Sequence, residues 1–407
     1  VAGFATSAPP ALLTLLVPTT SVVVTQLWTL PAGSLGFLDA SSYNTRGLAY
    51  DTNSGTLLVA DHNNIHLLAS TNGSYLGDLN TVGIFNGGLN GWLFDQVGVA
   101  DDGTLYAGNL VLSGSGFSIV SWPAGYGAGS PATGYAFGGG TGADPGSGSG
   151  ERWGDTMDVR GSGVNTEILI GSYGGTNAVL FTTTDGSSFT ANLIAITNVP
   201  AGFGGQGIAF ADGDSFYTKS PGYLLRKVAF NRTTWTGGTS LVYSSMPSLF
   251  DGIGVDASAN ILGGVNFSDT PNDLQLYLLS GNVNSPSLFD QAFFGSNNVN
   301  SQQNAVTTLK GGLGFSLDVN NGITAVSYGI PSAPAVTLVS ISYAPGAVTL
   351  NWNNAFNTHG YQVQYKDNLL DIVWTNVGAP VIATGATASY TDTTATGATR
   401  FYRVISQ

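Results

Sequence analysis

The 407-residue chain contains no cysteine, which excludes disulfides, zinc-thiolate sites and thiol nucleophiles together. Its stability must come from packing and backbone pairing. Charge is also scarce, at 9% of residues against roughly a quarter in an ordinary soluble domain. Acidic residues outnumber basic ones 24 to 11, and the formal net charge of -13 opposes the phosphate neutralisation that nucleic-acid binding needs. No nucleic-acid partner is expected. No run of five like charges occurs, so a polybasic membrane patch is missing as well. The longest apolar stretches, residues 11–17 and 21–30, are separated by Pro18 and too short to span a bilayer, so no membrane insertion is expected. Histidine is limited to His62, His66 and His359, and neither Gly-x-Ser-x-Gly nor His-Glu-x-x-His is present, which argues against serine and zinc hydrolases. The chain starts at Val1 without a basic and apolar leader, so it is read as a mature secreted product, located outside the cell or on its surface.

What the chain has in quantity is glycine, 58 residues of it, punctuating short apolar runs. Five copies of one pattern recur, each an apolar strand, a Gly/Asn/Asp turn and a second apolar strand. The copies are Gly47-Leu48-Ala49-Tyr50-Asp51 with Leu57-Leu58-Val59-Ala60, Val97-Gly98-Val99 with Leu105-Tyr106-Ala107, and Met157-Asp158-Val159 with Ile168-Leu169-Ile170. Ile208-Ala209-Phe210 with Phe216-Tyr217, and Ile253-Gly254-Val255 with Ile261-Leu262-Gly263, complete the set. Their starts lie about 45 to 60 residues apart, the spacing of β-propeller blades. Residues 304–330 add three strand candidates without an outer strand, and residues 22–28 are the natural donor to close the ring. The fold expected is all-β, a six-bladed propeller over residues 21–330. A seventh blade enters if the glycine-rich segment 123–150, otherwise read as a loop, hides one.

The best-patterned copy, Gly47-Leu48-Ala49-Tyr50-Asp51 with Leu57-Leu58-Val59-Ala60-Asp61-His62-Asn63-Asn64-Ile65, resembles the NHL and gluconolactonase-like propellers common among secreted proteins. The resemblance covers about residues 40–330. It implies a central channel in which enzymes of that type hold a metal with acid and amide side chains.

Pro331-Ser332-Ala333-Pro334 reads as a linker. Beyond it, in a second domain over 331–407, Val348-Thr349-Leu350-Asn351-Trp352, Tyr361-Gln362-Val363-Gln364-Tyr365, Trp374-Thr375-Asn376-Val377, Ser389-Tyr390-Thr391-Asp392 and Arg400-Phe401-Tyr402-Arg403-Val404 alternate as strands. This resembles an immunoglobulin or fibronectin type III β-sandwich with Trp352 in its core. Such a fold has one strand more, so an unpaired edge is expected. Residues 1–20 form an N-terminal extension.

Aligning the repeats puts Arg46, Asp95, Asp155, Gln206 and Asp251 in one column, at the start of each inner strand and facing the channel. Asp95, Asp155 and Asp251 are the candidate metal ligands, with Ca2+ as the ion their oxygens suit; Arg46 in the same ring would weaken a cation site. The bland reading is a ring of polar residues solvating a wet channel. His62 and His66 lie at a turn and on a strand, where that spacing separates side chains by about 13 Å, so they do not chelate one ion. Gly202-Phe203-Gly204-Gly205-Gln206-Gly207 matches a dinucleotide fingerprint but precedes a strand, and is read as an interblade turn. Asp51-Thr52-Asn53-Ser54-Gly55 and Asp318-Val319-Asn320-Asn321-Gly322 are read as tight turns and not calcium loops. Asn72, Asn231 and Asn266 fit the glycosylation sequon.

No catalytic or cofactor-binding residue is assigned. The expectation is an extracellular structural or adhesive protein, a fibre subunit whose partners are copies of itself. Leu12, Leu13, Leu15, Leu16 and Val17 would form the strand donated to a neighbour's C-terminal domain. The alternative is a secreted propeller enzyme or carbohydrate-binding protein with a ligand or Ca2+ in the channel, whose partners include glycans.

Overall fold

A computed structural model describes residues 24–84, 92–112, 115–140, 143–146, 151–279, 286–298, 304–329, 337–344, 346–353, 355, 360–368, 373–395 and 400–406. Two compact units emerge, Val23–Ile330 and a second that includes Pro331–Gln407.

The larger unit opens with β1 (Val24–Pro31), followed by an antiparallel meander of β2 (Gly47–Asp51), β3 (Thr56–Ala60), β4 (Ile65–Ala69) and β5 (Tyr75–Asp78). Next come β6 (Gln96–Val99) and β7 (Leu105–Gly108). The short β8 (Val111–Leu112) leaves to pair with the next meander, and β9 (Ile119–Trp122) and β10 (Gly134–Phe137) complete the second. The third is β11 (Arg152–Arg160), β12 (Glu167–Tyr173), β13 (Asn177–Thr183) and β14 (Phe189–Thr197). The fourth is β15 (Ile208–Phe210), β16 (Ser215–Thr218), β17 (Leu225–Asn231) and β18 (Thr236–Tyr243). The fifth is β19 (Phe250–Asp256), β20 (Ile261–Asn266), β21 (Asp273–Leu278) and β22 (Ser287–Phe293). The last three strands are β23 (Ala305–Lys310), β24 (Leu313–Asp318) and β25 (Gly322–Tyr328), and β1 adds antiparallel to β25 as their outer strand. The strand before the first meander therefore closes the last one.

The inner strands β2, β6, β11, β15, β19 and β23 neighbour one another in that order, and β23 returns to β2. Hydrophobic clusters fill the junctions between successive meanders. Leu58 and Phe94 pack in the first junction, Tyr106 and Ile170 in the second, Leu180 and Phe216 in the third. Tyr217 and Leu262, Leu276 and Leu309, and Leu57 and Phe315 occupy the remaining three. This ring of antiparallel meanders is a β-propeller. Its glycines serve the crowded axis: a Cβ on Gly98 would stand 2.4 Å from Val159 Cγ2, and one on Gly254 2.4 Å from the Thr307 carbonyl oxygen.

Two features depart from the sequence reading. The segment 123–150 is not all loop, because β10 lies within it and supplies the outer strand of the second meander. Its Ala136 is buried and Phe137 sits 4.9 Å from Phe181, contacts that flanking glycines conceal in the sequence. The third and fourth meanders also share one sheet, with β14 and β18 paired in parallel.

The smaller unit comprises β26 (Thr337–Ala344), β27 (Ala347–Asn353), β28 (Gly360–Lys366), β29 (Thr375–Asn376), β30 (Val381–Ile382), β31 (Thr387–Asp392) and β32 (Phe401–Ser406). One sheet runs β26-β27-β31; in the other, β28 is flanked by β29 and β30 on one side and pairs with β32. The two sheets share a core in which Leu350 and Trp352 meet Tyr361 and Val363. Trp352 is fully buried and packs edge-on to Tyr361 at 6.1 Å. The unit is a β-sandwich.

Candidate functional site

The column of residues at the start of the inner strands converges at one end of the channel. Bulges in two strands re-aim the backbone there: the register slips between Trp153 and Met157 in β11, and between Asp251 and Gly254 in β19. Asp155 sits inside the first slip and Asp251 begins the second.

Arg46 is the hub. Its Nη2 donates to Asp155 Oδ1 at 2.9 Å and to Asn304 Oδ1 at 3.2 Å, and its Nε stands 3.3 Å from Asp95 Oδ1. The Trp92 ring lies 5.3 Å from the guanidinium carbon. Asp155 also receives Arg152 Nε at 2.7 Å, so two guanidinium groups hold one carboxylate. Gln96 Nε2 donates to the carbonyls of Arg46 and Asp155, each at 3.1 Å, and Gln206 Nε2 reaches Asn304 Oδ1 at 3.1 Å. Arg46, Asp95 and Asp155 are all buried.

Burial shapes the electrostatics of Asp95 and Asp251. Burial pushes the Asp95 carboxyl up to about 7, against the opposing pull of Arg46 and with added repulsion from Asp155. Burial also pushes Asp251 well above the usual carboxylate range. Asp251 Oδ1 accepts the Gly252 amide at 2.6 Å, while its Oδ2 has no hydrogen-bond partner among the described residues. Lys219, itself fully buried, donates from Nζ to the carbonyls of Ser220 and Ser248 at 2.9 Å each. Desolvation lowers its pKa to about 8.

Below the ring lies a cavity of about 370 Å3 lined by all the inner strands, with Val97, Met157, Ile208 and Leu309 on its walls. Gln96, Asp155 and Gln206 form its polar end; Asp101 and Lys310, 2.9 Å apart, stand at the other.

The structure thus brings together Arg46, Asp95, Asp155 and Gln206 as expected. Arg46 lies between Asp95 and Asp155, and Asp251, which accepts the Gly252 amide, feels the charges of Arg46 and Asp155. Among the described residues, no group of three His, Cys, Asp or Glu side chains is placed to hold a metal ion. Asn304, Gln96 and Arg152 were missed from the sequence. Asn304 immediately precedes β23, so extending the column to the sixth inner strand would have found it.

The remaining candidates separate cleanly. Asn72 lies exposed in a turn and Asn231 exposed at the end of β17, and their side-chain oxygens accept the amides of Ser74 and Thr233. Asn266 is 1% exposed and its amide donates to Asp269 at 2.7 Å. His66 is held with Nδ1 2.5 Å from Asp78 and Nε2 3.2 Å from Asp61, its ring stacked on Phe37 at 3.7 Å. The glycine motif at 202–207 precedes β15 as an interblade turn. Asp51 caps its turn by accepting Asn53 N at 2.9 Å and Ser54 Oγ at 2.7 Å. Leu12, Leu13, Leu15, Leu16 and Val17, with the linker at 331–334 and His359, lie outside the described residues.

No protein-family model matches the sequence, and no curated protein matches it. Among solved structures, a DUF4623 family protein from Bacteroides eggerthii is similar at TM-score 0.53 and 13% identity, over 75% of this chain and 74% of its own. A protein described as a gluconolactonase matches over 77% of this chain and 94% of its own, at TM-score 0.45 and 12% identity. BamB from Moraxella catarrhalis matches at TM-score 0.30 and 12% identity, over 75% and 79%. At these identities the likeness concerns fold alone.

Proposed function

We propose that the chain is an extracellular structural or adhesive protein, a fibre subunit joined by strand donation between copies, with the propeller as its body and the sandwich, read as fibronectin type III-like, as its coupling module. The observation that supports this best is Arg46. It stands among carboxylates where the gluconolactonase-like resemblance would put a cation. A fixed guanidinium repels an incoming cation by roughly 4 kcal/mol per unit charge at 4 Å in an effective dielectric of 20. The ring then serves to lock the meanders together.

The test is calcium content and calcium-dependent melting of the full chain, alongside electron microscopy of native material. Fibres, together with a melting temperature that chelation leaves unmoved, support the structural reading. Stoichiometric Ca2+ lost on Asp95→Ala or Asp251→Ala would turn the reading to a propeller enzyme or carbohydrate-binding protein. The specific observation favouring that second reading is the cavity of about 370 Å3 under the ring.

A further inference from the structure

The sandwich lacks cover on one flank. β32 pairs with β28 and carries no strand on its other edge among the described residues. In the facing sheet β26 is an edge too, paired among the described residues only with β27. β30 neighbours β31, so those two strands share one flank and β26 and β32 are left on the other.

The side chains of β26 mark the same gap. Ile341 stands opposite Leu350, Tyr343 opposite Val348 and Leu338 opposite Trp352. Directly paired residues of an antiparallel ladder share a face, so all three belong to the core side. Leu350 and Trp352 are 0% exposed and Val348 8%, whereas Ile341 is 55%, Tyr343 74% and Leu338 44% exposed. The inner face of β26 looks across to the place where a strand beside β32 would lie.

We propose that this flank is an acceptor groove for one β-strand, and that residues 11–17 of a second copy fill it. The inference rests on the structural reading above and adds the site that reading needs. The segment Ala11-Leu12-Leu13-Thr14-Leu15-Leu16-Val17 is seven residues long, between the six of β32 and the eight of β26. With period two, Leu13, Leu15 and Val17 share one face, which supplies an apolar side chain at each position needed to cover Leu338, Ile341 and Tyr343. Its backbone would meet the free N–H and C=O groups of β32. The segment stops six residues short of β1, which is committed to the propeller. Residues 18–23 reach at most ~20 Å when extended, so the donor strand stays tethered close to β1. The contact is head to tail, and heterologous contacts of that kind propagate unless the rotation closes.

The cysteine-free background makes the test direct. One full-length chain carries Thr14→Cys and another Arg403→Cys; Arg403 is exposed on β32. The two are mixed and treated with a short bis-maleimide. A cross-linked heterodimer is expected, lost when the donor also carries Leu13→Asp and Leu15→Asp, or the acceptor Ile341→Ser and Tyr343→Ser. Melting curves of each variant confirm that the propeller and sandwich stay folded. If a doubly substituted chain cross-links only to itself at high dilution and the mixture gives no dimer, the occupant is the chain's own segment and the second-copy assignment is overturned. Fibres without any cross-link overturn the groove but leave the structural reading standing. Heterodimers without fibres support the groove and overturn the fibre.

Discussion

Arg46 Nη2 lies 2.9 Å from Asp155 Oδ1, an ion pair that ties the first meander to the third across the end of the channel. Both side chains are buried, so the pair is judged by what its removal leaves behind. Arg46→Met leaves Asp155 to Arg152 alone and Asp95 without a cation in contact. Breaking a buried pair by removing one partner costs about 3–5 kcal/mol. The urea midpoint of the full chain is expected to fall accordingly, with Arg46→Lys recovering only part because a lysine cannot reproduce the fork.

Asp95 predicts a pH dependence. Its folded pKa of about 7 stands above the unfolded value near 3.9. The folded state therefore binds the extra proton between those limits, and the Asp95 contribution to stability is lost as pH rises from about 4 to 7. Asp95→Asn mimics the protonated form. Its stability relative to the parent is expected to climb across that window, at up to about 1.4 kcal/mol per pH unit, and to level off above it. Denaturation curves at several pH values check this.

Lys219 predicts the opposite slope at alkaline pH. Desolvation holds its folded pKa at about 8, below the ordinary 10.5, so the unfolded chain binds the extra proton between those values. Stability conferred at this position rises as pH is raised from about 8 to 10.5. The parent is expected to gain on Lys219→Met over that interval, measured as the difference between their unfolding free energies.

Gly322 predicts a failure of ring closure. It adopts φ +96°, and a Cβ there would stand 1.9 Å from the Leu30 carbonyl oxygen of β1. Gly322→Ala forces β1 off β25, at a cost of about 3 kcal/mol or more. Trp28, whose indole donates to the Ser70 carbonyl at 2.8 Å, is expected to become solvated and shift the tryptophan emission to the red. Gly329→Ala, whose Cβ would meet nothing within 4 Å, is the control.

The propeller was legible because its signal is local. Runs such as Leu57-Leu58-Val59-Ala60 end in turns whose chemistry is written in adjacent residues, as Asp51 shows by bonding Asn53 and Ser54. Closure by the strand before the first meander was legible too, since the last meander lacked an outer partner. β10 was hidden by its glycines. β26 was not read as a strand, although Ser340-Ile341-Ser342-Tyr343 alternates polar and apolar residues. At the ring, the column of Arg46, Asp95, Asp155 and Gln206 could be aligned from the repeats. Which atoms meet could not, because the β11 bulge turns Asp155 toward Arg46 and spacing alone does not reveal a bulge.

The parallel pairing of residues 195–197 with 236–238 is one of several main-chain stitches between neighbouring sectors of the ring. Backbone pairing also joins the second meander to the third, where β8 pairs with β11, and the first to the second, where Gly129 N donates to the Asp78 carbonyl at 2.7 Å and Asn80 N to the Ser130 carbonyl at 2.9 Å. Neighbouring sectors from the first to the fourth are thus stitched by main chain as well as by side chains, so a load on one is passed to the next through peptide groups.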